Sequence, residues 1–211
     1  VVLAALLRNH RGVCVAGMHG KTSTTALLAY VLRELDAETG YAVGGEVPQW
    51  ERAAQLPTGN GFFTVEADES DGTLCEFHPE QAIVLNVDEE HVDYFANLEE
   101  VCAEFAVFAD QTLGTVFYCA DDPRLVELFA RRPGAISYGV NPAAQYRVES
   151  LLSVGADSSF ELWYGADRIG GFQLALFGAQ HISNAAAVAA FLHHNGFEME
   201  AVAAAMASFR G

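Results

Sequence analysis

Lys21 is the only lysine in the 211-residue chain. It stands within Val13-Cys-Val-Ala-Gly-Met-His-Gly-Lys-Thr-Ser-Thr-Thr25, an apolar run that empties into Gly-Lys-Thr ahead of a helical pattern. A Gly-Lys-[Ser/Thr] turn between strand and helix points backbone N–H groups and the positive helix end at a polyphosphate. The lysine then reaches the β and γ oxygens, and the Thr22 hydroxyl can hold Mg²⁺. The loop is shorter than the common Gly-x-x-x-x-Gly-Lys-[Ser/Thr] signature, whose first glycine would fall at Val15; here it reads Gly17-Met18-His19-Gly20-Lys21-Thr22. A solvated lysine on an ordinary turn is the competing reading, and the flanking strand and helix weigh against it.

Two acidic clusters follow. Gly61-Phe-Phe-Thr-Val-Glu-Ala-Asp-Glu-Ser-Asp-Gly72 is a buried-type strand ending in Glu66, Asp68, Glu69 and Asp71, where a nucleotide-hydrolysing sheet supplies a carboxylate to Mg²⁺. An acidic turn with a helix cap is the alternative for Asp68, Glu69 and Asp71. Glu66 lies within the apolar run, where an unpaired charge is costly, so a metal or cation is expected beside it. Ala82-Ile-Val-Leu-Asn-Val-Asp-Glu-Glu-His-Val-Asp-Tyr94 is a second strand opening into polar residues. Its His91, two residues from Asp93, suits a metal ligand, a proton carrier or a plain surface residue.

These groups need a scaffold that brings strand ends together. Apolar runs at Val13 to Ala16, Phe62 to Ala67, Ala82 to Val87, Val116 to Cys119 and Ala135 to Tyr138 read as buried strands. Thr22 to Leu35, Leu98 to Gln111 and Pro123 to Arg131 read as helices between them, after an opening helix at Val1 to His10. The alternation predicts an α/β fold of P-loop type, a mostly parallel sheet covered by helices on both faces, with ligands at the carboxyl ends of its strands. After Gly139 the pattern changes. Tyr146 to Val154, Ser159 to Tyr164 and Arg168 to Leu176 alternate polar and apolar residues around Gly-Ala turns, predicting a small three-stranded antiparallel appendage over about 140–177. Alanine-rich helices at His181 to His194 and Glu198 to Phe209 close the chain.

Composition narrows the partners. With 28 acidic and 11 basic side chains, a formal charge of −17 opposes nucleic acid and anionic membranes, so neither is expected as a partner. A polyanion must instead be captured locally. The four cysteines are widely spaced, with no C-x-x-C pair and no secretory or transmembrane segment, as expected of a cytoplasmic protein with free thiols rather than a zinc site.

Taken in order, Gly-Met-His-Gly-Lys-Thr-Ser-Thr-Thr25, Gly44-Gly45, Glu66-Ala-Asp-Glu-Ser-Asp-Gly72, Asn86-Val-Asp-Glu-Glu-His-Val-Asp93 and Gly178-Ala-Gln-His-Ile-Ser-Asn-Ala185 resemble the motifs of the Mur ligases over essentially the whole chain. The resemblance is to the central, ATP-binding domain of the member that joins L-alanine to UDP-N-acetylmuramate in peptidoglycan synthesis. It implies ATP on Gly17, Met18, His19, Gly20, Lys21, Thr22 and Ser23, with one Mg²⁺ on Thr22 and Glu66 and a second on His91. It also implies attack of a substrate carboxylate on the γ-phosphorus to give an acyl phosphate, which the alanine amine then opens. Lys21, Glu66 and His91 would be the catalytic set. The adenine-side motif departs from the family's Gly-x-His-Asn-x-x-Asn: Gln180 stands at the histidine position and His181 at the first asparagine, while Asn184 carries over. His181 is therefore expected either at the base or as a helix-start cap.

Family members that add later amino acids resemble one another in using a carbamylated second lysine, which this chain lacks. The alanine-adding enzyme and the murein-peptide recycling ligase do without it, and Asp68-Glu-Ser-Asp-Gly72 with Phe77-His-Pro79 looks more like the former. The chain's two ends lead to the expectation of an excised middle domain, residues 1–211, without the N-terminal uridine-nucleotide domain and the C-terminal closing domain. Such a piece would bind Mg-ATP without completing ligation. A stand-alone P-loop kinase or NTPase, or a non-catalytic nucleotide-binding module, would share Lys21, Thr22 and the acidic strand end.

Overall fold

A computed structural model describes residues 2–68, 72–88 and 98–211. In chain order its elements are α1 (Val2–Leu7), β1 (Arg11–Ala16), α2 (Lys21–Glu34), β2 (Gly40–Ala42), β3 (Ala54–Gln55), β4 (Phe62–Glu66), a 3₁₀ turn at Leu74–Glu76 and β5 (Gln81–Val84). They continue as α3 (Leu98–Gln111), β6 (Val116–Cys119), α4 (Pro123–Phe129), β7 (Ala135–Gly139), β8 (Tyr146–Val154), β9 (Asp157–Tyr164), β10 (Asp167–Leu174), α5 (Ala179–His194) and α6 (Met199–Ser208).

All ten strands form one sheet, ordered β10-β9-β8-β7-β6-β5-β1-β4-β2-β3. Pairings from β2 through β8 are parallel, and β3, β9 and β10 pair antiparallel to their neighbours. The expected α/β architecture holds. The expected three-stranded antiparallel part is β8, β9 and β10, and it joins the same sheet because β8 continues from β7 through Tyr138↔Tyr146 and Gly139↔Arg147.

Residues of β5 and β6 are buried without alternation, as strands covered on both faces must be. From β1 the chain runs through α2 toward β2 and β4; from β5 it runs the other way, through α3 and α4, to β6 and β7. Right-handed crossovers leaving in opposite directions place their helices on opposite faces and open a crevice between the strands where they diverge. That switch point lies between β1 and β5, registered at Val15↔Ile83 and Ala16↔Val84. The loops leaving β1 and β5 carry the Lys21 motif and Asn86.

Sequence signals account for most boundaries. α4 starts at Pro123 behind Asp122, whose carboxylate accepts the Arg124 N–H at 2.9 Å, an N-cap with proline in the first turn. Two-residue turns at Gly155-Ala156 and Gly165-Ala166 join β8, β9 and β10, with φ of 64° and 59° at the glycines, which a β-carbon would penalise. The paired strands β2 and β3, three and two residues long, had no readable periodicity. The strand expected to reach Val87 ends at Val84, and Leu85 to Asp88 turn out to line a cleft.

Candidate nucleotide site

The loop from Gly17 to Gly20 has a shape that sequence alone barely dictates. Gly17 has φ 137°, and a β-carbon there would lie 3.0 Å from Leu85 Cβ and 3.1 Å from the Asn86 nitrogen. Gly20 caps α2 in the left-handed region, φ 85°, where a β-carbon would meet Asn184 Nδ2 at 2.8 Å. Both positions demand glycine twice over, by conformation and by space. The amide of Asn86 pins the loop between them, its Oδ1 accepting from the His19 N–H at 2.8 Å and its Nδ2 donating to the His19 carbonyl at 2.9 Å. Asn86 thus bridges the switch point.

Lys21 opens α2, its side chain folded against the loop. Its ammonium donates to the Gly17 carbonyl at 2.8 Å and lies 3.7 Å from Asp68 Oδ1. Thr22 and Glu66 meet directly, with Thr22 Oγ1 donating to Glu66 Oε2 at 3.0 Å, while Glu66 Oε1 accepts the Gly44 N–H at 2.6 Å. The partners of the Glu66 carboxylate here are thus a hydroxyl and a backbone amide. A β-carbon on Gly44 would come within 3.0 Å of that carboxylate, so the Gly44-Gly45 pair allows the backbone this approach.

Among the described residues no three His, Cys, Asp or Glu side chains gather into a metal cage. A hydroxyl and a carboxylate side by side nonetheless suit Mg²⁺, which takes one or two protein oxygens and completes its shell with water and phosphate. His91, Asp93, Glu69 and Asp71 lie outside the described residues.

Beside the loop a cleft of about 600 Å³ runs over the carboxyl ends of β5, β6 and β7. Its lining includes His19 and Asn86, Gln180 and Ser183 of α5, and Val148 and Leu151 of β8. Its floor is braced by two aspartates that sequence reading did not single out. Asp122 also accepts the Val87 N–H at 2.8 Å, and Asp121 accepts the N–H groups of Val140 and Asn141 at 2.9 and 2.7 Å. An Asp-Asp pair just past a strand is a weak signal. Cys119 lines the cleft too, but burial pushes its thiol up, so it stays protonated and a poor nucleophile.

Other expected contacts divide. Met18 is buried and takes part through its backbone, its N–H reaching the Asn86 carbonyl at 3.3 Å, while Ser23 is half-buried in the first turn of α2. Asn184, buried against Gly20, accepts from Gln180 Nε2 at 3.2 Å. His181 is half-buried and makes no side-chain cap at the start of α5; Gln180 beside it lines the cleft.

The chain is similar to known proteins. Residues 15–192 match the model of the Mur ligase middle domain. The UDP-N-acetylmuramate–L-alanine ligase of Thermosynechococcus vestitus is 35% identical over 212 aligned residues, spanning all of this chain and 44% of that protein. The one from Microcystis aeruginosa is 38% identical, spanning all of this chain and 43% of its own length. The chain therefore spans less than half the length of these relatives. Among solved structures, UDP-N-acetylmuramate-alanine ligase from Thermotoga maritima superposes with TM-score 0.85 at 27% identity, over all of this chain and 47% of that one. A UDP-N-acetylmuramate:L-alanyl-gamma-D-glutamyl-meso-diaminopimelate ligase from Neisseria meningitides gives TM-score 0.87 at 24% identity over all of this chain and 69% of that one, a likeness of fold.

Proposed function

This chain belongs to the Mur ligase family through its middle domain, and from that premise we propose that it is the ATP-binding part of a ligase joining L-alanine to UDP-N-acetylmuramate. The observation that carries the reading is the convergence of Lys21, the Thr22–Glu66 pair and the 600 Å³ cleft at one switch point. The names of the two relatives above supply the choice of amino acid and sugar nucleotide. Residues 1–211 would form one middle domain, antiparallel over about 140–177, between a uridine-nucleotide domain and a closing domain in the whole cytoplasmic protein.

Lys21 would leave the Gly17 carbonyl and Asp68 for the β and γ phosphate oxygens, with the loop amides and the α2 N-terminus holding the rest of the polyphosphate. Thr22 and Glu66 would hold one Mg²⁺ and His91 a second. Bound metal would neutralise the repulsion between an attacking carboxylate and the γ-phosphate, so that the carboxylate oxygen could bond the γ-phosphorus as ADP leaves, giving an acyl phosphate. Asn184, Gln180 and His181 surround the base side, with Asn184 also walling the loop at Gly20.

Thermal unfolding with and without Mg-ATP tests the nucleotide assignment, since a ligand bound only by the native state raises the midpoint. The wild-type chain is expected to shift and Lys21→Ala not to shift. An equal shift in both would remove Lys21 from the site, and the absence of any shift in the wild type would remove the site. Restoring the flanking domains and assaying phosphate release with UDP-N-acetylmuramate and L-alanine tests the ligase assignment. Release to a small hydroxyl acceptor instead would favour a kinase.

A further inference from the structure

Leu151 sits on a strand whose alternation is broken, and the break decides which way it faces. In β8, Glu149 pairs with Glu161 and Leu152 with Ser159, so Ser150 and Leu151 together stand opposite the single residue Phe160. This is a β-bulge, and Ser150 occupies it with φ 53°, a left-handed conformation unusual for serine. The conformation is held from outside the cleft, where Ser150 Oγ donates to Glu161 Oε2 at 3.2 Å and Arg168 Nε donates to Glu161 Oε1 at 2.9 Å.

In an unbroken strand, residues three apart point to opposite faces. Val148 and Leu151 are three apart, yet both line the cleft. The extra residue reverses the parity of the strand beyond it. Val148 is buried, whereas Leu151 remains 44% exposed, an apolar side chain at the rim with surface still to lose. The polar groups of Gln180 and Ser183 line the same cleft.

We propose that Leu151 is a nucleobase-binding residue, the apolar wall against which the face of the base packs while the α5 side meets its polar edge. The assignment rests on the nucleotide reading above and adds a residue to it. An aliphatic wall in one cleft with polar groups suits a flat ring with an apolar face and a hydrogen-bonding rim, and the leucine has nothing to offer a bare polyphosphate. Leu151 therefore contributes to the preference for a base-bearing triphosphate, while the Lys21 loop serves any triphosphate.

The experiment measures binding of Mg-ATP and of magnesium tripolyphosphate to the intact chain by calorimetry, for wild type, Leu151→Ala, Leu151→Met and Lys21→Ala. Leu151→Ala is expected to weaken Mg-ATP about 5- to 20-fold, in line with the apolar area a base would cover. It should leave tripolyphosphate unchanged. Leu151→Met should retain most of the ATP affinity, and Lys21→Ala should weaken both ligands. Unchanged Mg-ATP binding by Leu151→Ala, or an equal loss for both ligands, overturns the assignment of Leu151 and leaves the nucleotide site standing. Failure of the wild type to bind either ligand overturns the nucleotide reading itself. Thermal midpoints without ligand check that the variants are folded, as a half-exposed leucine at a cleft rim permits.

Discussion

The Lys21 ammonium rests on the Gly17 carbonyl, 2.8 Å away, so under the proposed function phosphate would have to outcompete a contact within the loop itself. What keeps that loop in shape meanwhile is Asn86, whose one amide satisfies both the donor and the acceptor of His19. Asn86→Ala removes two hydrogen bonds and is expected to cost about 1–2 kcal/mol in chemical unfolding. It should also weaken Mg-ATP beyond that stability loss, because the loop amides are no longer preset. If unfolding shows the loss and calorimetry shows unchanged affinity, Asn86 is structural only. At this scale the sequence pointed to residues that the fold brings into contact, Thr22 with Glu66 and Lys21 with the loop at Gly17. It was uninformative where position across the sheet matters: Asn86 was visible as part of a motif, but its grip on His19 depends on β1 and β5 being neighbours.

Helix and strand identities followed from periodicity wherever an element was long and one-sided. α3 spans Leu98–Gln111 as expected, since Val101, Phe105, Phe108 and Ala109 mark its buried stripe. The bulge in β8 left no comparable trace, because Glu149-Ser150-Leu151-Leu152 contains no glycine to announce it. The last turn of α5 carries a property of its own. His193 Nδ1 lies 2.8 Å from the Tyr146 hydroxyl, and burial, aided by the neighbouring His194, holds the His193 imidazole below its ordinary value. Burial holds the Tyr146 phenol far above its own, so it stays protonated and shares this hydrogen bond with the imidazole. A histidine whose folded value is depressed binds fewer protons folded than unfolded. Its contribution to stability is complete above the unfolded value of about 6.5 and is lost as pH falls from there through the folded value. Wild type should therefore lose thermal midpoint relative to His193→Gln on acidification through that window. Parallel profiles would show that His193 titrates normally.

Across the whole molecule, the proposed function asks a chain of formal charge −17 to receive a polyanion. Long-range repulsion is expected to slow the encounter, while Lys21 and the loop amides act only at contact. Raising ionic strength from about 0.01 to 0.15 M shortens the screening length from roughly 30 to 8 Å. Stopped-flow association of Mg-ATP should accordingly quicken with salt. A rate that falls instead would mean that the cations near the cleft, Lys21 and Arg124 among them, govern the approach. No helix among the described residues is long and apolar enough to cross a membrane. Overall architecture was legible because strands and helices alternate; the attachment of β8 to β7 was not, since two residue pairs make it and neither carries a distinctive signal.

Asn184 is packed against Gly20, so a wall of the phosphate loop belongs to a helix that begins only at Ala179, after all ten strands. During synthesis the Lys21 turn leaves the ribosome ahead of all ten strands but the first, and the wall exists only once α5 has followed. Such a distant contact is slow to close and leaves the intermediate open meanwhile. A nascent chain stopped short of α5 would carry the lysine, the threonine and the glutamate, yet lack the side chain that closes over the turn. The capacity to hold a nucleotide would then be gained late and in one step, at the emergence of a helix rather than of the motif.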